Sequence, residues 1–519
     1  MKEQFIKEFT NRYTYKGEKI LLGKAKLDGH IVPEVEISVP LKMITRHGLI
    51  AGATGTGKTK SLQILAEQLS LKGVPSLLMD IKGDLSGIAK AADPNNPKIL
   101  DRYEKLKLPY TAQGFPVELL TISQEKGVRL RATITEFGPI LLSKILGLND
   151  TQTSIMSIIF KYCDDKKLPL IDLDDLRKVL QFVTENERGK SELSQNYGSI
   201  ASSSLGSLLR SIVALEQQDA GRFFGEPSFN TDDLLQVRNG LGVINIIRLT
   251  DIQNRPQFFS TFLLSLLSEI YQTSPEVGDL DKPKLAIFID EAHLLFNEAS
   301  KVLLNQIETM VKLIRSKGIG LYFCTQVPGD VPEGVLGQLG LKIQHALRGF
   351  TAKDKKEINK AVENYPSTEY YKANELIQQL GTGEAFITCL DEKGIPTPLA
   401  DTFMISPRSR MDILTPQEID EIVNNSAMVK KYADDINKES AYEILSERMK
   451  TASDDDSATK KEPESTKATI SKTEKSEPSI FEKIINSPLV RDMSRTFVRE
   501  GSKMLFGALG VKNNTRKRK

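Results

Sequence analysis

The sequence predicts an α/β fold with a mainly parallel central sheet, and three observations carry that reading. Residues 52–59, Gly-Ala-Thr-Gly-Thr-Gly-Lys-Thr, spell the phosphate-binding pattern G-x-x-x-x-G-K-[ST]. Leu285, Ala286, Ile287, Phe288 and Ile289 run as a continuous apolar strand into the paired acids Asp290 and Glu291. At least five such short apolar runs alternate with helical patterns, which is the arrangement a parallel sheet covered on both faces requires.

The first motif lies between a short buried strand at residues 47–51 and an apolar-periodic helix at residues 59–71. Phosphate oxygens need donors that approach closely. Glycines at 52, 55 and 57 let the backbone turn its N–H groups inward, and the helix N-terminus adds its positive end. Gly52, Ala53, Thr54, Gly55, Thr56, Gly57, Lys58 and Thr59 are therefore the expected phosphate-binding residues. Lys58 would reach the β- and γ-phosphates and Thr59 would offer its hydroxyl to Mg²⁺. In the second motif Asp290 would hold the Mg²⁺ through water, and Glu291 would orient or activate the attacking water. Residues 319–326 form a further buried strand ending in Gln326, which suits either a γ-phosphate sensor or a plain polar strand end. The absence of an N-K-x-D guanine signature favours ATP as the nucleotide.

Taken in order, residues 1–46 read as a small β element, with alternating stretches at 19–23 and 32–39 around the turn-forming Asp28 and Gly29. The ATPase domain follows in two parts, 47–137 and 236–406, interrupted by a helical insertion at 138–235. Within the first part an apolar run at 74–79 ends at Asp80, at the strand edge where ligands bind in open α/β sheets. Asp80 is either a site residue or a loop carboxylate capping the segment from Leu85. The insertion shows helical periodicity at 139–146, 151–162, 173–183 and 199–215. The second part reads as a strand at 240–249, helices at 256–271 and 300–316, and strands at 285–289, 319–326, 341–347 and 385–390. Beyond it come a helical extension at 407–450, a polar linker at 451–479 expected to be disordered, and an amphipathic helix at 480–519 ending in Arg516, Lys517, Arg518 and Lys519. That last helix reads as a tethered docking element for a partner, or as a membrane-surface helix with a basic clamp. Removing residues 452–519 is expected to leave nucleotide binding intact, since every expected phosphate- and Mg²⁺-contacting residue precedes Ala400.

Composition narrows the classes further. A length of 519 residues implies two or three domains. Lys+Arg 70 against Asp+Glu 68 leaves a formal charge of +2, so any nucleic-acid contact must come from local patches. Cys163, Cys324 and Cys389 are odd in number and far apart, which points to reduced core thiols in a cytoplasmic protein. The four histidines show no metal-ligand spacing. No signal peptide is expected at the start, and the most apolar run, at 258–270, is too short to span a bilayer.

With these motifs in place, the sequence resembles the HerA/FtsK-type P-loop ATPases, in particular the bacterial HerA-like helicase branch. The resemblance rests on residues 47–59, on Leu78 to Asp84, on Phe288-Ile289-Asp290-Glu291-Ala292-His293 and on Cys324-Thr325-Gln326-Val327-Pro328, in family order across roughly residues 18–405. It implies a RecA-like fold, Mg²⁺-dependent ATP hydrolysis with Lys58, Thr59, Asp290, Glu291 and Gln326 in the roles above, and a hexameric ring moving along double-stranded DNA, with a nuclease as one kind of partner. It also puts Arg315 and Arg348 near the positions of arginine fingers offered to a neighbouring subunit; each reads equally as a surface arginine. The rival expectation is a nucleotide-gated assembly switch that binds a protein or a membrane surface and never translocates.

Overall fold

The computed structural model describes residues 1–217, 220–252, 255–296, 301–349, 351–433 and 439–458. Most of the expected linker and all of the expected amphipathic helix lie outside these residues. The chain separates into two units, Met1–Thr451 and Ala452–Lys519, and the first carries the sheet.

Among the described residues fourteen strands are formed: β1 (Lys19–Leu27), β2 (His30–Pro40), β3 (Gly48–Ala51), β4 (Ser76–Asp80), β5 (Val117–Thr121), β6 (Val128–Arg129), β7 (Val237–Arg238), β8 (Leu241–Gly242), β9 (Ile244–Arg248), β10 (Leu285–Ile289), β11 (Ile319–Thr325), β12 (Leu341–Gln344), β13 (Glu384–Thr388) and β14 (Ala400–Met404). Twelve of them make one sheet in the order β2-β1-β14-β13-β12-β3-β11-β10-β4-β9-β5-β6, while β7 and β8 pair separately. From β12 to β6 every neighbouring pair is parallel. From β12 back to β2 every pair is antiparallel. The fold is thus α/β with a mainly parallel sheet, as the sequence predicts.

The central strands are continuous apolar runs because both faces are covered. Leu49, Leu77, Ile287 and Leu321 join one core, which also contains Leu142, Ile159, Leu176 and Leu208 of the helices at 134–216. Their strand neighbours Ile50, Leu78, Phe288 and Tyr322 join the opposite core, with Leu62, Leu65 and Leu69 of the helix Lys58–Leu71. Alternation along one strand therefore decides which helical layer each residue meets.

β1 and β2 meet in a two-residue turn at Asp28 and Gly29, both with positive φ (50° and 77°), the geometry a right-twisted hairpin prefers. They continue the main sheet through β14 rather than standing apart from it. A helix at Lys2–Tyr13, which the sequence reading does not anticipate, lays Phe5, Phe9 and Tyr13 into the second core. Helices Pro97–Leu106 and Glu187–Tyr197 and strand β14 were also unread. The helix Ala441–Ala458 runs through residues 451–458, which the sequence reading places in the linker.

After β14 the chain crosses the molecule as a strap. Glu67, buried on the helix Lys58–Leu71, accepts hydrogen bonds from the backbone N–H of Arg408 (2.7 Å) and Ser409 (3.1 Å). Lys60 donates to the Met411 carbonyl (2.7 Å), and Leu414 N–H donates to Ser86 Oγ (3.0 Å). Further on, Ser426 donates to buried Glu118 (2.6 Å), Arg131 to the Tyr432 carbonyl (3.1 Å), and Tyr442 N–H to buried Asp175 (2.8 Å). Among the described residues no single helix is long and apolar enough to cross a membrane.

Candidate nucleotide site

Parallel register brings the motif-bearing strand ends level. Ala51 of β3 lies opposite Thr325 of β11, and Ile289 of β10 lies opposite Phe323 of β11 and Met79 of β4. The segments after β3, β11, β10 and β4 therefore emerge at one edge of the sheet, in that spatial order.

After β3 the chain turns through Gly52 (φ 153°), Gly55 (78°) and Gly57 (118°) into the helix Lys58–Leu71. A Cβ at Gly52 would come within 2.5 Å of His345 Cβ, so the close approach as well as the turn requires glycine there. The loop is fastened at its base. Gly52 N–H donates to the carbonyls of Thr325 (3.2 Å) and Gln326 (3.1 Å), Ala53 N–H to Ala346 (2.8 Å), and Gly383 N–H to the Thr56 carbonyl (3.1 Å). Thr56 Oγ1 also closes back on the Ala53 carbonyl at 2.7 Å. Thr54 and Gly55 form the exposed crest. The helix is capped by Gly57, which has no side chain to offer, so its first-turn N–H groups stay available to an anion.

Lys58 is buried and its ammonium turns back on the Ala53 carbonyl at 3.3 Å. Burial, and then the Lys82 charge, push its pKa down, while Glu291 and Asp290 push it up, so these four charges share one neighbourhood. Asp290 is 2% exposed, and burial followed by the adjacent Glu291 raises its carboxyl to about 7. Its Oδ2 has no hydrogen-bond partner among the described residues. A buried, orphaned carboxylate oxygen beside a second carboxylate is an arrangement that a divalent cation relieves. Asp290 and Thr59, which stands half-buried on the first turn of the helix, thus have the chemistry to hold Mg²⁺. Glu291 is buried too and has φ 47°, a left-handed conformation that costs a non-glycine residue on the order of 1 kcal/mol or more. Backbone bonds on either side hold it, from Ala292 N–H to the Cys324 carbonyl (2.8 Å) and from Leu294 N–H to the Glu291 carbonyl (2.9 Å). Its carboxylate meets Lys82 Nζ on one oxygen and His293 Nδ1 on the other (3.1 Å), as charge neighbours rather than as aligned hydrogen bonds.

Lys82 comes from the loop after β4. Asp80 fastens that loop by accepting the N–H groups of Gly83 (2.7 Å), Asp84 (3.1 Å) and Leu85 (3.1 Å). Burial raises the Asp80 carboxyl to about 6 despite these donors. Of the two sequence readings of Asp80, the structure shows the loop-capping one. No role was read for Lys82, although it stands in the segment from Leu78 to Asp84; the signal lay in its distance of two residues from a strand end that neighbours β10. His345 was likewise unread. Its Nδ1 donates to the Glu384 carbonyl (2.9 Å), so its Nε2 accepts from Ser61 Oγ (2.8 Å), and burial lowers its pKa to about 4. A neutral imidazole thereby ties the helix of the loop to β13.

The remaining expected site residues fall in different places. Gln326 is exposed at the end of β11, beside the loop through its backbone. Arg348 follows β12 on the same edge and donates to the carbonyls of Gln378 and Leu380 (3.1 Å to the latter). Arg315 sits before β11 at the opposite edge, paired with Asp279 at 3.1 Å, and is not gathered with Lys58 and Glu291.

The family model described as "Helicase HerA-like C-terminal" matches residues 26–514. Over 368 residues the chain is 20% identical to the DNA double-strand break repair helicase HerA of Sulfolobus acidocaldarius, covering 70% of this chain and 66% of that one. Over 376 residues it is 22% identical to the protein of the same name from Sulfurisphaera tokodaii, with the same two coverages. It therefore spans just under two thirds of the length of these relatives. Among solved structures, the plasmid coupling protein TrwB in complex with ADP and Mg²⁺ aligns with a TM-score of 0.50 at 14% identity, over 79% of this chain and 94% of that chain, a likeness of fold. A glycine loop between parallel strand and helix, paired acids two strands away, and a family match over nearly the whole length place this chain in the HerA-like helicase C-terminal family of P-loop ATPases.

Proposed function

We propose that the chain is a Mg²⁺-dependent ATPase that works on double-stranded DNA as a helicase or translocase, assembled as a hexameric ring in the cytoplasm. The observation that carries this reading is the convergence of Lys58, Asp290 and Glu291 at one sheet edge. Residues 52–59 bind the phosphates, with Lys58 on the β- and γ-phosphates. Thr59 and Asp290 hold the Mg²⁺, which when bound neutralises charge on the phosphate oxygens. Glu291 accepts a proton from the attacking water as the water oxygen bonds the γ-phosphorus and the bond to the β,γ-bridging oxygen breaks, its electron pair leaving with ADP. Gln326 senses the γ-phosphate, and Arg315 or Arg348 reaches the site of a neighbouring subunit. In this reading the ATPase core is residues 47–137 and 236–406, residues 138–235 are its insertion, and a nuclease acts beside it.

The curated relatives are named for DNA double-strand break repair, which supports DNA as the partner. The test is ATP turnover with and without duplex and single-stranded DNA, on material whose oligomeric state is measured by sedimentation. DNA-stimulated turnover by a hexamer is expected. Turnover indifferent to every DNA tried and raised by a protein partner would replace the motor with an assembly switch.

A further inference from the structure

We propose that Lys82 is a positioning residue that tells triphosphate from diphosphate: it holds the Glu291 carboxylate while the γ-phosphate position is empty and passes to the γ-phosphate when a nucleoside triphosphate binds. The inference rests on the ATPase reading above and adds to it how water activation waits for the right ligand.

Three observations carry it. First, the Lys82 ammonium is paired with Glu291, whose side chain is 6% exposed, so the expected water-activating carboxylate is engaged by a cation of its own chain. The paired oxygen is thereby turned from water. Second, the two ends of the Lys82 residue differ in freedom. Its backbone lies in the loop that Asp80 clamps through three N–H groups, while its side chain keeps 40% exposure and four rotatable carbons. The ammonium can therefore change partner without moving the loop. Third, the Lys82 charge reaches Lys58, and both lysines are met by Glu291 and Asp290, with Asp84 also acting on Lys82. A terminal phosphate entering beside Lys58 brings new negative charge to this group, and the partly exposed lysine is the one able to follow it. Glu291 is then released toward the water, still oriented by its own left-handed backbone and by His293.

The experiment uses the full chain with Lys82→Met and Lys82→Arg, each alone for turnover and each combined with Glu291→Gln for equilibrium binding of ATP and ADP. Lys82→Met is expected to weaken ATP binding at least tenfold while ADP binding stays within about twofold, and to lower kcat by roughly 10² or more. Retained ADP affinity also reports that the variant is folded. Lys82→Arg, which keeps the charge, should recover most of the ATP preference. Equal losses for ATP and ADP would make the pair a structural tie, and faster turnover at unchanged ATP affinity would make Lys82 a brake alone; either result overturns the proposal. A wild-type protein without ATP turnover would remove the ATPase reading and this proposal with it, a failure distinct from that of the lysine variants.

Discussion

The two edges of the parallel sheet are built from similar strands and treat their polar groups in opposite ways. At the carboxyl edge Asp290 Oδ2 is buried without a hydrogen-bond partner among the described residues, and Glu291 has a strained backbone and a carboxylate met by charge neighbours. At the amino edge the comparable groups around His47 are matched, although Ser76 Oγ and Asn245 Oδ1, near the starts of β4 and β9, have no hydrogen-bond partner among the described residues. His47 Nδ1 accepts from Leu321 N–H (3.0 Å), so its Nε2 donates to the Val311 carbonyl (2.8 Å), and the Tyr322 hydroxyl donates to the Ile44 carbonyl (2.8 Å). An unmatched buried polar group costs stability. Around Asp290 a bound cation can offset that cost, whereas the matched groups around His47 hold the fold.

This contrast can be broken most directly at the carboxyl edge. Glu291→Gln should lower kcat by about 10²–10⁴ with ATP affinity retained, as read by steady-state turnover and equilibrium binding; normal turnover would remove Glu291 from the chemistry. Lys58→Ala should weaken ATP binding by roughly tenfold to a hundredfold, the span of one charge-assisted hydrogen bond of about 1.5–3 kcal/mol. Both substitutions should change turnover or nucleotide affinity more than the melting temperature.

At the amino edge the signs reverse. His47→Asn should leave kcat and ATP affinity within about twofold but destabilise the chain by about 1–3 kcal/mol at neutral pH through its buried, unmatched partners. Burial holds His47 neutral down to about pH 4, while in the unfolded chain it takes up a proton near pH 6.5. Its contribution is therefore complete above pH 6.5 and is lost as the pH falls toward 4. The gap between wild type and His47→Asn should narrow by about 2 kcal/mol between pH 7.5 and pH 5; in that difference the opposing effects of Asp80, Asp290 and Asp401, whose carboxyls are raised to about 6 to 7, cancel. A gap that widened in acid would contradict the neutral imidazole. The smallest stability effect belongs to Arg315→Ala, since its pair with Asp279 is exposed and worth less than about 0.5 kcal/mol. If that variant nevertheless loses turnover as an oligomer, and mixing it with Lys58→Ala protein restores part of it, Arg315 acts on a neighbour's site.

How much of this was legible depends on whether a signal is local. The strands carrying the two motifs could be read because a buried parallel strand is an uninterrupted apolar run, and the glycines at 52, 55 and 57 announce their turn without reference to anything distant. The helix Lys2–Tyr13 was missed because only Phe5, Phe9 and Tyr13 are buried, and apart from Ile6 its other residues are charged or polar. β14 escaped because Ala400, Asp401 and Thr402 have no strand-like apolar pattern; they are placed by pairing with β13 and β1, hundreds of residues from the latter. In the site, Lys82 and His345 take their meaning from partners about 209 and 284 positions away, which no window along the chain displays. Four of the five helices at residues 134–216 were visible by periodicity, but their boundaries moved to the caps. Asn149 and Asp172 each accept an N3 amide as an N-cap, and a kink at Gly138 (φ 77°, ψ 164°) separates the first turn of the helix Ile134–Ile145 from the rest.

The strap after β14 also fixes when the nucleotide site can be finished during synthesis. Glu67 stands one helix after the phosphate loop, and the Arg408 and Ser409 amides that bind its buried carboxylate are made about 340 residues later. β1 likewise waits for β14 before it has a neighbour on its inner side. A chain still on the ribosome at residue 390 therefore has the glycine loop and the helix it leads into, with Gln63 of that helix as a donor to Glu67 (3.4 Å), but not the strap amides that fasten it. An ATPase domain cut off after β13 is thus expected to hold the whole phosphate motif on a helix that lacks its last fastening.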